Sequence, residues 1–264
     1  RRLASGYDRT VVAGEWLADK LRGHGVPRVA CVPFGIDRAR FSPSRRDEAV
    51  RARLLGALAA NPDARLAAVV GRIAVEKRVG FVLDALAAVS RERPVAVAVL
   101  GDGPERARVE ARAAKLGLCA TFTGFITDRD DYARTLASAD LLVHGCPHET
   151  FGFSVAEALA SGVPAVVPDA GGAAEFVDAA CGERYDPWGT SMDAAVATRR
   201  LLDRPPGPMR DAAATMPDGS RSTSPRGAAR PARARASSAW NCCSCPACAR
   251  RARRAMAHAT TRPR

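Results

Sequence analysis

The chain has 264 residues, enough for one large domain or two small ones, and 47% of them are hydrophobic, a globular composition. No apolar run approaches the ~20 residues of a membrane helix, and no apolar stretch follows Arg1-Arg2 as it would in a signal peptide, so a cytoplasmic protein is expected. The net charge of +12 is concentrated at one end: residues 204–264 hold thirteen arginines and two acids, while residues 1–203 hold 27 basic and 26 acidic groups, which excludes a general basic face for nucleic acid on the body.

Short β-branched apolar runs alternate with longer amphipathic stretches. In chain order the predicted strands are Thr10–Ala13, Val29–Val32, Leu66–Val70, Val95–Leu100, Ala120–Thr123, Leu141–His144 and Ala165–Val167. Helices are predicted between them, among others at Val79–Arg91, Glu105–Leu116 and Phe153–Ala160. This alternation predicts an α/β fold, a Rossmann-like doubly wound parallel sheet with helices on both faces. Ligands of such sheets bind at the carboxyl ends of the strands, so chemistry is expected in the loops that follow them.

Three zones follow. Residues 1–37 read as strand, helix, strand, ending in Val32-Pro33-Phe34-Gly35-Ile36-Asp37; residues 38–203 hold the repeated β-α units. Residues 204–264 are rich in Ala, Arg, Pro and Ser without apolar periodicity, and no packed structure is expected there. Three lysines against thirty-seven arginines suggest a GC-rich gene, in which leucine codons read one base late become Cys-Cys. Cys242-Cys243 is therefore expected to be an out-of-frame leucine run, with the frame slipping after Leu202.

Cys31, Cys119, Cys146 and Cys181 lie in apolar surroundings and read as reduced core thiols. Cys242, Cys243, Cys245 and Cys248 have C-x-x-C spacing but are too compact to wrap one ion easily. His24, His144 and His148 form no metal spacing; His144, at a strand end, reads as structural. No metal is expected. There is no P-loop, no G-x-S-x-G and no zinc-protease motif.

The strongest signal is the run from His148 through Glu149-Thr150-Phe151-Gly152-Phe153-Ser154 to Glu157 and Ala158-Leu159-Ala160-Ser161-Gly162-Val163-Pro164. It follows a strand and opens a helix. Gly152 lets the backbone approach a ligand, and the free amides at Phe153 and Ser154 favour a phosphate. A carboxylate can accept from two neighbouring hydroxyls, so Glu149 and Glu157 could grip two parts of one ligand with phosphates between them. Lone glutamates are more often solvated loop or helix-face acids. The second signal, Gly71-Arg72-Ile73-Ala74-Val75-Glu76-Lys77, directly follows a predicted strand.

The first segment resembles the E-x(7)-E element of family-4 retaining glycosyltransferases, which have the GT-B fold, and the second resembles their G-R-x(4)-K segment. The resemblance implies that Glu149 contacts the hexose of a nucleotide-diphosphate sugar and Glu157 its ribose diol. It implies that Arg72 and Lys77 bind the diphosphate and stabilise it as it leaves, in place of a metal ion; Arg78, beside Lys77, is a further candidate for that task. Gly101-Asp102-Gly103-Pro104 resembles the family's turn near the nucleotide, or is only a turn opening the next helix. Thr123-Gly124-Phe125-Ile126 matches the place where the family reads the base through backbone groups, although Phe125 could equally be core. Asp169 and Glu175 lie in a loop that resembles one beside the donor, or serve as helix caps.

The implied activity is transfer of a hexose from GDP-mannose or a UDP-hexose to a hydroxyl acceptor with retention, without metal or other cofactor. The acceptor is unspecified: a lipid, a glycan or a small molecule. The resemblance covers roughly residues 7–203. Residues 1–37 match the end of the family's acceptor domain and its hinge, so most of that domain, with any peripheral membrane contact, is expected to be missing. Alternatives are an inactive fragment that at most binds the nucleotide sugar, another GT-B enzyme such as a nucleotide-sugar epimerase, and a nucleic-acid binder using the arginine-rich tail.

Overall fold

A computed structural model describes residues 6–215. The expectations for residues 216–264, including the cysteine cluster and most of the out-of-frame stretch, lie outside the described residues. The first elements are β1 (Thr10–Val12), α1 (Glu15–Gly23) and β2 (Val29–Cys31), and the two strands pair in parallel with Val11 opposite Ala30. They form a separate two-stranded sheet.

The main sheet has six strands: β3 (Arg65–Val70), β4 (Val95–Leu100), β5 (Cys119–Gly124), β6 (Leu141–Val143), β7 (Ala165–Pro168) and β8 (Gly182–Tyr185). Their spatial order is β5-β4-β3-β6-β7-β8, and every pairing is parallel. This is the Rossmann order, whose direction reverses between the first and fourth strands, here β3 and β6. All but β8 were predicted. The sequence Gly-Glu-Arg-Tyr of β8 carries no apolar run: at the sheet edge only Gly182 and Tyr185 are buried, while Glu183 and Arg184 face outward.

Alternation within the strands builds two cores. Leu66 and Ala68 of β3 and Ala96, Ala98 and Leu100 of β4 face one side, against α2 (Glu48–Leu55), α5 (Arg129–Ala137) and α6 (Phe153–Ala160). Ala67 and Val69 with Val95, Val97 and Val99 face the other, against α3 (Val79–Ser90), α4 (Arg106–Lys115) and α7 (Ser191–Leu202). A residue period of two thus feeds both helix layers from the same strands. Local chemistry starts the helices: Asp47 accepts from the Ala49 and Val50 amides ahead of α2, Asp128 from Asp130 and Asp131 ahead of α5, and Thr190 and Asp193 form a capping box on α7.

The expectation of no packed structure after residue 203 is corrected for its first part. Pro206–Thr215 is a helix, α8, with Met209 and Ala213 buried. Arg210 donates to the Ala139 carbonyl (3.1 Å) and the Ala137 carbonyl (3.3 Å), pairing backbone groups at the C-terminal end of α5. Neither contact is visible in local apolar periodicity.

Candidate functional site

The carboxyl ends of β3, β4, β5 and β6 open into a cleft of about 980 Å³ at the point where strand order reverses. Its walls include Arg72, Lys77, Gly101, Gly103, Phe125, Ile126, Glu149, Gly152, Phe153, Ser154 and Glu157, whereas Arg78, Asp169 and Glu175, also candidates from the sequence, do not line it. The lining candidates come from four separate loops and one helix face. Phe34, Asp102 and Thr150, which lie within the quoted motifs, line it as well, and so do Arg129 and Tyr132, which the sequence did not single out. Phe34 lies in the segment Val32–Asp37 and stacks on Phe153 (5.2 Å between ring centroids).

Backbone geometry explains the glycines. Gly101 has φ +144°, and a Cβ there would lie 2.0 Å from the Gly71 carbonyl oxygen, so the loops after β3 and β4 touch only because no side chain intervenes. That requirement suffices to explain Gly101 without a ligand, although the loop also lines the cleft. Gly152 has φ +95° and stands at the N-cap of α6, directing the first amides of that helix toward the cleft.

The charged side chains are already engaged. Lys77 donates from Nζ to Oε1 of Glu149, so the two groups assigned by resemblance to diphosphate and hexose pair with each other here. Glu157 is buried, and its two oxygens accept from Arg129 (2.8 Å) and from the Tyr132 hydroxyl (2.8 Å). A carboxylate offers about four lone-pair sites, so Glu157 retains capacity for further donors. Burial and the Glu157 charge push the Tyr132 hydroxyl pKa well up, so it stays a donor. Arg72 is exposed and makes no ion pair with another described residue.

Behind Glu149 stands His144, directly after β6. Its Nε2 lies 3.5 Å from Glu149 Oε1 without forming a hydrogen bond. An unpaired buried polar atom of this kind costs about 1–3 kcal/mol. Burial lowers the His144 pKa to about 4, against the pull of Glu149, so the ring is neutral near pH 7. The expected absence of a metal spacing at His144 needs qualification. Its Nε2, the Cys146 sulfur and a Glu149 oxygen lie within 4.8 Å of one another.

Other expectations are resolved individually. Phe125 is not core; it is 77% exposed at the cleft wall. Arg78 does not join Lys77: its guanidinium donates to the Pro187 carbonyl (2.9 Å) and lies over the Phe81 ring. Glu175 is a cap, accepting from the Glu15 amide (3.2 Å) and the Trp16 amide at the start of α1. Asp169 pairs with Arg184 at 3.3 Å. Among the described residues the four cysteines are free thiols, with Cys146 and Cys181 buried.

The fold and cleft together define a Rossmann-like α/β domain with its cleft at the topological switch point. The family of glycosyl transferases group 1 matches residues 51–214, and the chain belongs to that family. It is similar to the GDP-mannose-dependent alpha-(1-6)-phosphatidylinositol dimannoside mannosyltransferase of Mycobacterium tuberculosis, 37% identical over 205 residues, 77% of this chain and 51% of that protein. A GDP-mannose-dependent alpha-mannosyltransferase of Mycolicibacterium smegmatis is 36% identical over 178 residues, 67% of this chain and 44% of that protein. The chain thus spans about half the length of the curated relatives it matches. Among solved structures, sucrose-phosphate synthase from Thermosynechococcus elongatus superposes with a TM-score of 0.66 at 23% identity, over 81% of this chain and 52% of that one. Anabaena HepE, solved with UDP and glucose, does so with a TM-score of 0.61 at 20% identity, over 80% and 59%. These two share the fold.

Proposed function

We propose that this chain is the donor-binding half of a family-4 retaining hexosyltransferase that uses GDP-mannose, without metal, to glycosylate a hydroxyl acceptor. The observation that carries the reading is the convergence of Arg72, Lys77, Glu149 and Glu157 on one cleft beside the start of α6. The similarity to two GDP-mannose-dependent enzymes supports mannose and guanine over other donors. The relative that acts on phosphatidylinositol dimannoside favours a glycolipid acceptor, bound by a part of the enzyme that lies before the hinge.

In this reading the ribose diol donates to the remaining lone pairs of Glu157 while the base lies against Phe125 and Ile126. The diphosphate meets the Phe153 and Ser154 amides, Arg72 and Lys77. Lys77 leaves Glu149 to do so, which frees that carboxylate for hexose hydroxyls. As the glycosidic C–O bond breaks, negative charge grows on the diphosphate. Fixed cations in a site already shaped for it stabilise that charge with little reorganisation. The leaving phosphate accepts the acceptor's proton on the face from which it departs, so the anomeric configuration is retained.

Donor binding to this chain can be measured directly. GDP-mannose should raise the melting temperature more than UDP-glucose; a ligand at 100 times its Kd adds about 2.7 kcal/mol of stability. Lys77→Ala should weaken GDP far more than GMP, because only the former carries the diphosphate. Indifference of the folded chain to every nucleotide sugar would sink the proposal.

A further inference from the structure

The buried His144 and Cys146 gather with the half-buried Glu149 at the wall of the donor cleft. The backbone there is firmly held: the His144 amide donates to Val166 O (2.8 Å), and the Tyr185 hydroxyl donates to His144 O (2.8 Å). The His144 ring nitrogen Nε2 is buried and has no hydrogen-bond partner among the described residues. It lies 3.5 Å from Glu149 Oε1, and Glu149 is the member of the trio that lines the cleft and so offers an entry path.

We propose that His144 Nε2, Cys146 Sγ and a Glu149 carboxylate oxygen form an inhibitory Zn²⁺ site. Mixed N, S and O donors suit zinc, and three protein ligands leave its fourth position to water. Bond lengths of about 2.0–2.3 Å put tetrahedral ligand atoms roughly 3.3–3.8 Å apart. The trio, spread over at most 4.8 Å, closes by side-chain movements of about 1 Å. Glu149 Oε1 is engaged by Lys77, so the ion takes the other oxygen or displaces the lysine. Binding converts the Cys146 thiol to a thiolate and releases one proton to solvent. The ion needs no oxidant or reductant. Inhibition rests on the donor reading above: a carboxylate committed to zinc no longer accepts from the hexose. Zinc is then an antagonist of this transferase, not its cofactor.

The test uses the full chain with Cys242→Ser, Cys243→Ser, Cys245→Ser and Cys248→Ser, which removes the thiols of the tail. Titration with Co²⁺ should produce a near-ultraviolet thiolate-to-cobalt band and the visible bands of a four-coordinate ion. Zn²⁺ should abolish both at one equivalent, with one proton released. Cys146→Ala should erase the thiolate band, and His144→Gln should weaken Zn²⁺ binding roughly tenfold or more, since even loss of a group that only orients a ligand costs that much. No thiolate band, or one that survives in folded Cys146→Ala protein, overturns the site. Should the variants not fold, X-ray absorption of the zinc-loaded parent decides it: one sulfur neighbour supports the site, and a shell of nitrogen and oxygen alone overturns it. Separately, saturating Zn²⁺ should abolish the GDP-mannose-induced melting shift. A chain that binds cobalt but no nucleotide sugar retains the metal site and refutes the donor reading, whereas unchanged donor binding with zinc bound overturns inhibition.

Discussion

At the scale of single residues, most charged groups of the cleft wall pair with one another. Lys77 and Glu149 neutralise each other, and Glu157 is shared between Arg129 and Tyr132. A diphosphate that takes Lys77 from Glu149 must therefore exchange a contact, whereas Arg72 and the remaining lone pairs of Glu157 are open to new ones. Glu157→Ala should weaken GDP-mannose binding by about ten- to a hundredfold, the size of one hydrogen bond to a charged group at roughly 1.5–3 kcal/mol. Calorimetry against the parent checks it; an unchanged Kd in folded protein would leave Glu157 as a tether for Arg129 and Tyr132 only. Glu175 makes a purely structural prediction. It caps α1 because the N-cap residue, Gly14, has no side chain to do so. Glu175→Ala should cost about 1 kcal/mol, seen as faster hydrogen exchange at the Glu15 and Trp16 amides. Donor binding should not change.

Among the elements, α8 shows most clearly how a weakly patterned segment is recruited. Its ten residues bury only Met209 and Ala213, yet Arg210 reaches the carbonyls that end α5. Burial lowers the Arg210 pKa from its ordinary value, and the nearby Arg46 lowers it further. Arg210→Ala should destabilise the domain by about 1–3 kcal/mol, the cost of leaving helix-end carbonyls unpaired. A urea midpoint that does not move would show that water replaces the guanidinium at no cost. Gly101 tests the opposite extreme, a contact with no freedom. A Cβ 2.0 Å from the Gly71 carbonyl must push the β3 and β4 loops apart. Gly101→Ala should therefore lower the melting temperature and reduce nucleotide binding together.

Across the whole molecule, charge and apolar surface are unevenly distributed. Residues 216–264 contain eleven arginines and one acid, and the remainder of the chain is close to neutral. Deleting residues 216–264 should abolish retention on heparin at moderate salt while leaving GDP-mannose binding unchanged. Loss of donor binding on deletion would instead give the tail a part in the cleft. In the body, Val11, Val32 and Phe34 are more than half exposed around β1, β2 and the segment that follows. Apolar surface left in water favours association, so sedimentation should show concentration-dependent oligomers that Val11→Thr with Val32→Thr diminishes.

The sheet strands, the two motif loops and the acidic pair were legible in the sequence because they are local patterns. A β-branched run, a glycine after a strand and a fixed spacing from a loop into the helix that follows survive without knowledge of distant residues. That the motif loops gather at one edge could also be read, since doubly wound sheets place successive strand ends there. Tertiary structure alone decided which side chains meet across that edge. Nothing in the spacing between positions 77 and 149, or 129 and 157, shows that Lys77 pairs with Glu149 or that Arg129 and Tyr132 occupy Glu157. The same is true of β8 and α8, whose own residues carry little apolar signal and whose stability comes from the edge of a sheet and the end of another helix. His144, Cys146 and Glu149 lie close in sequence, but their convergence depends on how the loop after β6 is bent and held by Val166 and Tyr185. Hydrophobic periodicity is a property of neighbours along the chain, whereas pairing of charges and orientation of a buried imidazole depend on contacts between segments that the fold brings together.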